Sequence, residues 1–220
     1  MKRRRYTVRF RNDSTLEGVV CLFDANPCRC AGDVQPLAWL TRYAFPTTEI
    51  EFSWEERYSF VWSATTLDGE TEIVASQVWP TDLSSDNQVT LTHHRGTYSF
   101  RRQTRGPQRG SLYIQQDHTV PALEASVGLG IAGCASCLLP TQPNVIFAFE
   151  PHPEYWIAFG DYERGQVLDP AEAPTKTRLT FGPNGRALNV TLGADNLWTL
   201  TPTRRRPRGA SDRGYSRLRV

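Results

Sequence analysis

The chain has 220 residues and a formal net charge of +2, with no run near the roughly 18 consecutive apolar residues that a membrane-spanning helix needs. Aromatic residues make up 11% of it and include six Trp, which excludes a wholly disordered polymer. The small net charge conceals basic ends: residues 1–5 carry +4 and residues 203–220 carry +6, leaving −8 on the body between them, the wrong sign for a folded nucleic-acid face.

In chain order, MKRRR (1–5) has the charge of a signal-peptide leader, but the YTVRFRNDS that follows alternates with Arg and supplies no apolar core for one. Five Cys is an odd number and fits reduced thiols, so a cytoplasmic location is expected. From Tyr6 onward the dominant period is two. Tyr6, Val8 and Phe10 share one face of YTVRFR, while Ile50, Phe52 and Trp54 share one face of EIEFSWE (49–55). Such alternation marks half-buried strands. Strand-like runs recur at 18–23, 58–63, 72–79, 88–93, 97–103 and 111–116, then at 126–132, 144–150, 155–160, 177–181, 187–193 and 197–202.

Turn residues punctuate these runs at Asp68-Gly69, Arg95-Gly96, Asn184-Gly185 and Ala194-Asp195-Asn196, as hairpins require. NVIFAFE (144–150) and YWIAFG (155–160) read as apolar on both faces and are placed centrally in a sheet. The best helical candidate is the short PLAWLTRYA (36–44). About a dozen short strands with a minor helix predict an all-β fold, a β-sandwich or closed barrel, with an antiparallel β-sandwich the preferred form. The predicted organisation is a basic extension at 1–5, a single sandwich domain at 6–203 and a disordered Arg-rich tail at 204–220, where the apolar pattern stops.

Two motifs coincide in SVGLGIAGCASC (126–137). Gly128, Gly130 and Gly133 spell G-x-G-x-x-G, but a dinucleotide site needs those glycines between a strand and a helix. Here they alternate with Val127, Leu129 and Ile131, and glycine in a strand signals close backbone packing. No nucleotide or other cofactor is expected. Cys134 and Cys137 form C-x-x-C, and Cys28 with Cys30 forms a second close pair. These four are the candidate metal ligands, since four thiolates suit tetrahedral zinc; small buried hydrophobes or loop thiols are the alternative.

The remaining candidates are weaker. His93 and His94 are adjacent and so point to opposite faces of a strand, while His118 and His152 lie in loops. DLSSDN (82–87) opens like a calcium loop at Asp82, Ser84 and Asp86, but Asn87 stands in the place of the turn glycine, so a loop with capping side chains is expected. Trp39, Trp54, Trp62, Trp79, Trp156 and Trp198 could line a sugar platform, although the core is the usual place for Trp in a sandwich. The Arg-rich segment 204–220 offers the chain's charge for nucleic acid or an anionic surface.

Taken in order, several segments resemble the RhiA family. They run from YTVRFRNDS (6–14) through PLAWLTRYAFP (36–46), YSFVWS (58–63), SQVWPTDLSSDNQVTLT (76–92) and QTRGPQRGSLYI (103–114). ASVGLGIAG (125–133), PNVIFAFEPHPEYWIAFGDYERGQVLD (143–169) and ADNLWTLTPT (194–203) complete the likeness, which covers nearly all of 6–203. It implies an abundant, soluble, non-enzymatic bacterial protein with quorum-sensing or rhizosphere-linked expression and no catalytic residue to carry over. The Cys pairs stand outside the family pattern.

The expectation is therefore a non-enzymatic cytoplasmic protein that self-associates, its homo-oligomer formed by open edge strands. The Glu-rich face of 49–55 and the Arg-rich run 101–109 would be its complementary surfaces. The alternatives are a lectin-like ligand-binding sandwich using surface aromatics and a Cys-coordinated zinc protein.

Overall fold

The computed structural model describes residues 4–26, 28–30, 34–64, 67, 77–169, 171, 173, 175–182 and 185–203. The alternation of YTVRFR is realised in β1 (Arg5–Asn12), where Tyr6, Val8, Phe10 and Asn12 turn inward and Arg5, Arg9 and Arg11 face solvent. There follow β2 (Gly18–Asp24), β3 (Cys28–Arg29), β4 (Gln35–Pro36), β5 (Leu40–Ala44), β6 (Glu49–Glu55), β7 (Tyr58–Ser63) and β8 (Gln77–Pro80). Next come β9 (Gln88–His94), β10 (Thr97–Thr104), β11 (Leu112–Gln116), β12 (Ser126–Ile131) and β13 (Cys134–Pro140). The last are β14 (Ile146–Pro151), β15 (Tyr155–Gly160), β16 (Lys176–Arg178), β17 (Ala187–Leu192) and β18 (Trp198–Pro202). The turn at Asp68-Gly69, the first half of the run 72–79, Asn184 and the segment 204–220 lie outside the described residues.

Among the described residues the strands form four sheets. Sheet A is ordered β18-β17-β1-β6, sheet B β16-β15-β2-β5, sheet C β4-β13-β12-β7-β8 and sheet D β10-β9-β11-β14-β3. Most neighbours are antiparallel, as predicted, but β1 runs parallel to β17 and β11 parallel to β9. Sheet A packs on B through Phe10–Phe159, Tyr6–Tyr155 and Trp54–Tyr155. Sheet C packs on D through Phe60–Phe100, Trp62–Tyr98 and Trp79–Phe100. The body is thus two sandwiches joined at one end, sharing a continuous core. The chain leaves A/B after β2 and again after β6, returning at β5 and β15, so C/D is inserted between strands of A/B.

The segment 36–44, predicted as a helix, is instead the seam of the two sandwiches, and no helix occurs among the described residues. β4 pairs with β13 of sheet C and β5 with β2 of sheet B. Between them Leu37 N–H donates to Ser136 O and Trp39 N–H to Leu22 O. Leu37 enters one small core with Val61 and Leu138, Ala38 a second with Cys21 and Phe23, and Trp39 the main core. Three successive side chains serve three different layers, which a helical stripe cannot do; tertiary packing overrides the helix propensity of Leu and Ala.

β15 is two-sided as expected. Tyr155, Ile157 and Phe159 enter the main core, while Ala158 and Trp156 lie under the cover formed with Leu168 and Tyr162. β14 is central, between β11 and β3, but only Phe147 and Phe149 are buried and Ile146 is exposed. The Glu-rich face of β6 is engaged within the chain, with Arg9 Nε 2.9 Å from Glu51 and Arg11 Nη1 3.4 Å from Glu49.

Candidate functional site

The G-x-G-x-x-G residues form the β12–β13 hairpin. The turn Ala132-Gly133 has φ of 51° and 81°, the left-handed pair of a tight hairpin. Gly128 is needed for a different reason: a Cβ there would lie 2.2 Å from Cys137 O and 2.9 Å from Leu138 Cα.

The same hairpin arranges the cysteines. In a regular strand Cys134 and Cys137 would face opposite ways. A bulge intervenes, since Leu129 opposes Cys137 but Gly130 opposes Ala135. Ser136 is the extra residue, its Oγ donating to Leu129 O at 3.1 Å. The bulge turns both cysteines onto the main core, where Cys137 is buried and Cys134 half-buried. Cys30 packs against that core too, and burial, followed by the nearby Cys137, pushes its thiol up to about 11. Arg164 Nη2 donates to Cys134 Sγ at 2.9 Å. The side chain of Cys28 lies outside the described residues; its backbone pairs with Pro151. Among the described residues no three His, Cys, Asp or Glu stand together as a metal site.

Trp39, Trp54 and Trp62 are buried, and Trp79, Trp156 and Trp198 half-buried, so the core claims them and no Trp platform stands on the described surface. The His93 ring lies 4.5 Å from that of Tyr98. DLSSDN is a capped loop: Asp82 Oδ1 accepts from Ser84 N–H, and buried Asn87 ties the loop to Gly106, Gln108 and Ser111.

Two features emerge that the sequence reading passed over. The first is a polar waist where the sandwiches join. Asp24 closes the inward face of β2 after Val20 and Leu22, opposite Tyr155. Its Oδ1 accepts from Glu154 N–H at 2.8 Å and Asn26 N–H at 3.2 Å, while Oδ2 is buried without a hydrogen-bond partner. Burial raises this carboxyl to about 7. Tyr155 and Tyr58 beside it are raised as well, again first by burial. Tyr6 and Tyr58 both donate to Glu56, at 3.0 and 3.3 Å, and Trp39 Nε1 donates across the seam to Ile131 O at 3.0 Å. A groove of about 440 Å³ opens onto this waist, with Trp54, Arg57, Tyr58, Ser59 and Pro80 among its walls. Trp54 faces Tyr155, to which it is hydrogen-bonded, while Ser59 Oγ is buried without a partner, an uncommon state for a buried polar group.

The second feature is the far end of sandwich A/B. β1, β5, β15 and β17 end there and β2, β6 and β18 begin, which the pairs Arg11–Glu49, Leu192–Trp198, Gly18–Ala44 and Gly160–Val19 establish. The connecting turns display Leu16, Phe45 and Leu197, and the end of β5 displays Tyr43; the four are exposed by 49%, 57%, 65% and 51%. They are four of the six exposed large apolar residues among those described. Tyr43 and Phe45 meet edge to face at 4.9 Å. Exposed carboxylates surround them at Asp13, Glu17, Glu49, Asp161 and Asp195; desolvation first, then Glu17 and Asp161, hold the Tyr43 phenol above its ordinary range. Arg11 pairs with Asp13 and Glu49; Glu17, Asp161 and Asp195 form no ion pair among the described residues. A period-two reading of LTRYAFP, with Tyr43 set outward beside an exposed Phe45, was the available signal for this tip.

These features define an all-β protein of two end-joined sandwiches, with a polar waist and an apolar, acidic tip. Its paired-glycine motif is part of the hairpin packing. The RhiA family matches residues 3–203, and the chain belongs to that family. It is 30% identical over 203 residues to Protein RhiA of Rhizobium leguminosarum bv. viciae, a match covering 90% of this chain and 86% of that protein. No solved structure matches the chain. No described helix is long and apolar enough to cross a membrane.

Proposed function

We propose that the chain is a non-enzymatic bacterial protein that accumulates in the cytoplasm under quorum-sensing or rhizosphere-linked expression and acts through self-association. The observation supporting this reading is the tip: four exposed apolar side chains gathered at one end of a sandwich, a density that in soluble proteins marks an interaction surface. Light scattering coupled to size-exclusion chromatography, over a concentration series at low and high salt, tests it. Assemblies of defined mass are expected, and a monomer at every concentration and salt overturns it.

A second reading rests on the waist groove, whose walls set the Trp54 and Tyr58 side chains beside Arg57, a mix of aromatic surface and charge that suits a small polar ligand. A glycan and metabolite screen read by Trp fluorescence tests this ligand-binding alternative. Saturable quenching that Arg57→Ala weakens supports it, and no response across the screen rejects it.

A further inference from the structure

We propose that the Arg-rich segment 204–220 of one copy docks on the tip of a second copy, a contact that deepens the self-association reading and rests on it. The tip is presented by pinned backbone. Buried Asn12 donates through Nδ2 to Leu16 O at 2.8 Å, and Gly193 N–H donates to Leu197 O at 2.9 Å within a turn capped by Asp195. A surface already ordered loses little entropy on binding. It couples the Tyr43–Phe45 ring pair to carboxylates whose charge Arg11 only partly offsets. The chemistry that fits is a run of guanidinium groups, which stack on aromatic faces and bind carboxylates in a bidentate fork. RRRPRGASDRGYSRLRV supplies seven Arg against one Asp, with Tyr215, Leu218 and Val220 as apolar companions.

The path of the chain selects a second copy. β18 begins at the tip with Trp198 and runs to Pro202, and Thr203 N–H is held by Ala187 O at the other end of sheet A. Segment 204–220 therefore starts from the waist, and reaching its own tip would require the chain to reverse at once and run back along sheet A, whereas the tip of a second copy needs no such reversal. Docking a segment that starts at the waist of one copy onto the tip of another is a heterologous contact, which builds rings or open chains. Between exposed charges it weakens with salt.

Three proteins test the proposal: the full chain, a chain ending at Thr203, and a tip variant combining Tyr43→Ser, Phe45→Ser, Glu17→Gln and Asp161→Asn. All of the substituted residues are exposed, and circular dichroism checks that each protein is folded. At about 50 mM salt the full chain is expected to sediment as multimers that dissociate at about 500 mM, while the other two are monomers. Mixing those two restores a complex, because one contributes the tip and the other the segment. If both retain wild-type assemblies, self-association stands and this contact is wrong. If the full chain is monomeric and only truncation releases assembly, the segment covers its own tip and the proposal is overturned. If all three are monomers and the mixture forms no complex, both readings fail.

Discussion

Replacing Gly128 by Ala tests the structural account of the glycine motif most sharply. Gly128 lies in the middle of β12, paired with Val61 on one side and Leu138 on the other. The added methyl meets backbone at 2.2 Å from Cys137 O and 2.9 Å from Leu138 Cα, where no rotamer change relieves it. Restoring a tolerable contact requires β13 to retreat by about 0.8 Å, which a close-packed interior resists. β13 has little freedom to move, because β4 pairs with its far side and Leu138 is locked between Leu37 and Val61. Overpacking together with weakened ladder hydrogen bonds costs about 3 kcal/mol. That lowers the folding equilibrium about 150-fold and the melting temperature by about 6–12 °C for a chain of this size.

Urea unfolding followed by Trp fluorescence reads the effect as a lower midpoint with unchanged slope. Gly133→Asn is the matched comparison from the same motif. Its φ of 81° suits Asn, and nothing lies within 4 Å of the added Cβ, so a change below about 1 kcal/mol is expected. If Gly128→Ala unfolds at the wild-type midpoint, the strand-packing explanation is wrong and Gly128 needs another reason.

Other consequences follow from the waist and the cysteines. Because burial raises Asp24 to about 7 from an ordinary 3.8, the folded state holds an extra proton between those values. Stability therefore falls as pH rises from about 4 to 7, by up to about 4 kcal/mol. Asp24→Asn keeps the Oδ1 acceptor and is expected to flatten the dependence in urea titrations; an unchanged slope refutes the assignment. Trp39→Phe leaves Ile131 O without its 3.0 Å donor and opens space at the seam, an expected loss of about 2–3 kcal/mol by thermal or urea unfolding. With Cys28 replaced by Ser, native thiol labelling followed by mass spectrometry is expected to modify half-buried Cys134 first. Cys21 and Cys137, both fully buried, then react only on unfolding. Glu51→Ala removes an exposed ion pair, and its effect on the unfolding midpoint is expected to stay below about 1 kcal/mol.

The long alternating strands were legible because one wet face and one packed face leave a period of two, as in β1, β6, β9 and β17. What escaped were elements too short or too specialised for a period. β3 and β4 are two residues each, and β5 is hidden in LAWLTRYA, where each side chain answers to a different layer. CASCLLP drew attention as a half-site and is a strand, β13. Its bulge at Ser136 depends on the register against β12, which local composition does not encode. The waist was less legible still, since Asp24 at the end of GVVCLFD resembles an ordinary strand-ending charge. Only the insertion of C/D between strands of A/B puts that carboxylate inside.

For the proposed self-association, the strand edges and the tip are competing routes. Edge strands were the expected route, yet four of the eight sheet edges are defended. β6 carries Glu49, Glu51 and Glu55 outward, β4 and β8 each contain proline, and β10 breaks register between Arg101 and Thr104 with Arg102 at a φ of 53°. Charge, proline and bulges are the usual devices against edge-to-edge pairing. At the tip the exposed apolar atoms belong to side chains, three on turns and Tyr43 at the end of β5, so association there does not depend on pairing a backbone ladder. Removing a charge from the β10 edge, as in Arg101→Thr, is accordingly expected to leave assembly mass unchanged by light scattering. An increase in mass would show that the edge contributes and that its charges were holding association back.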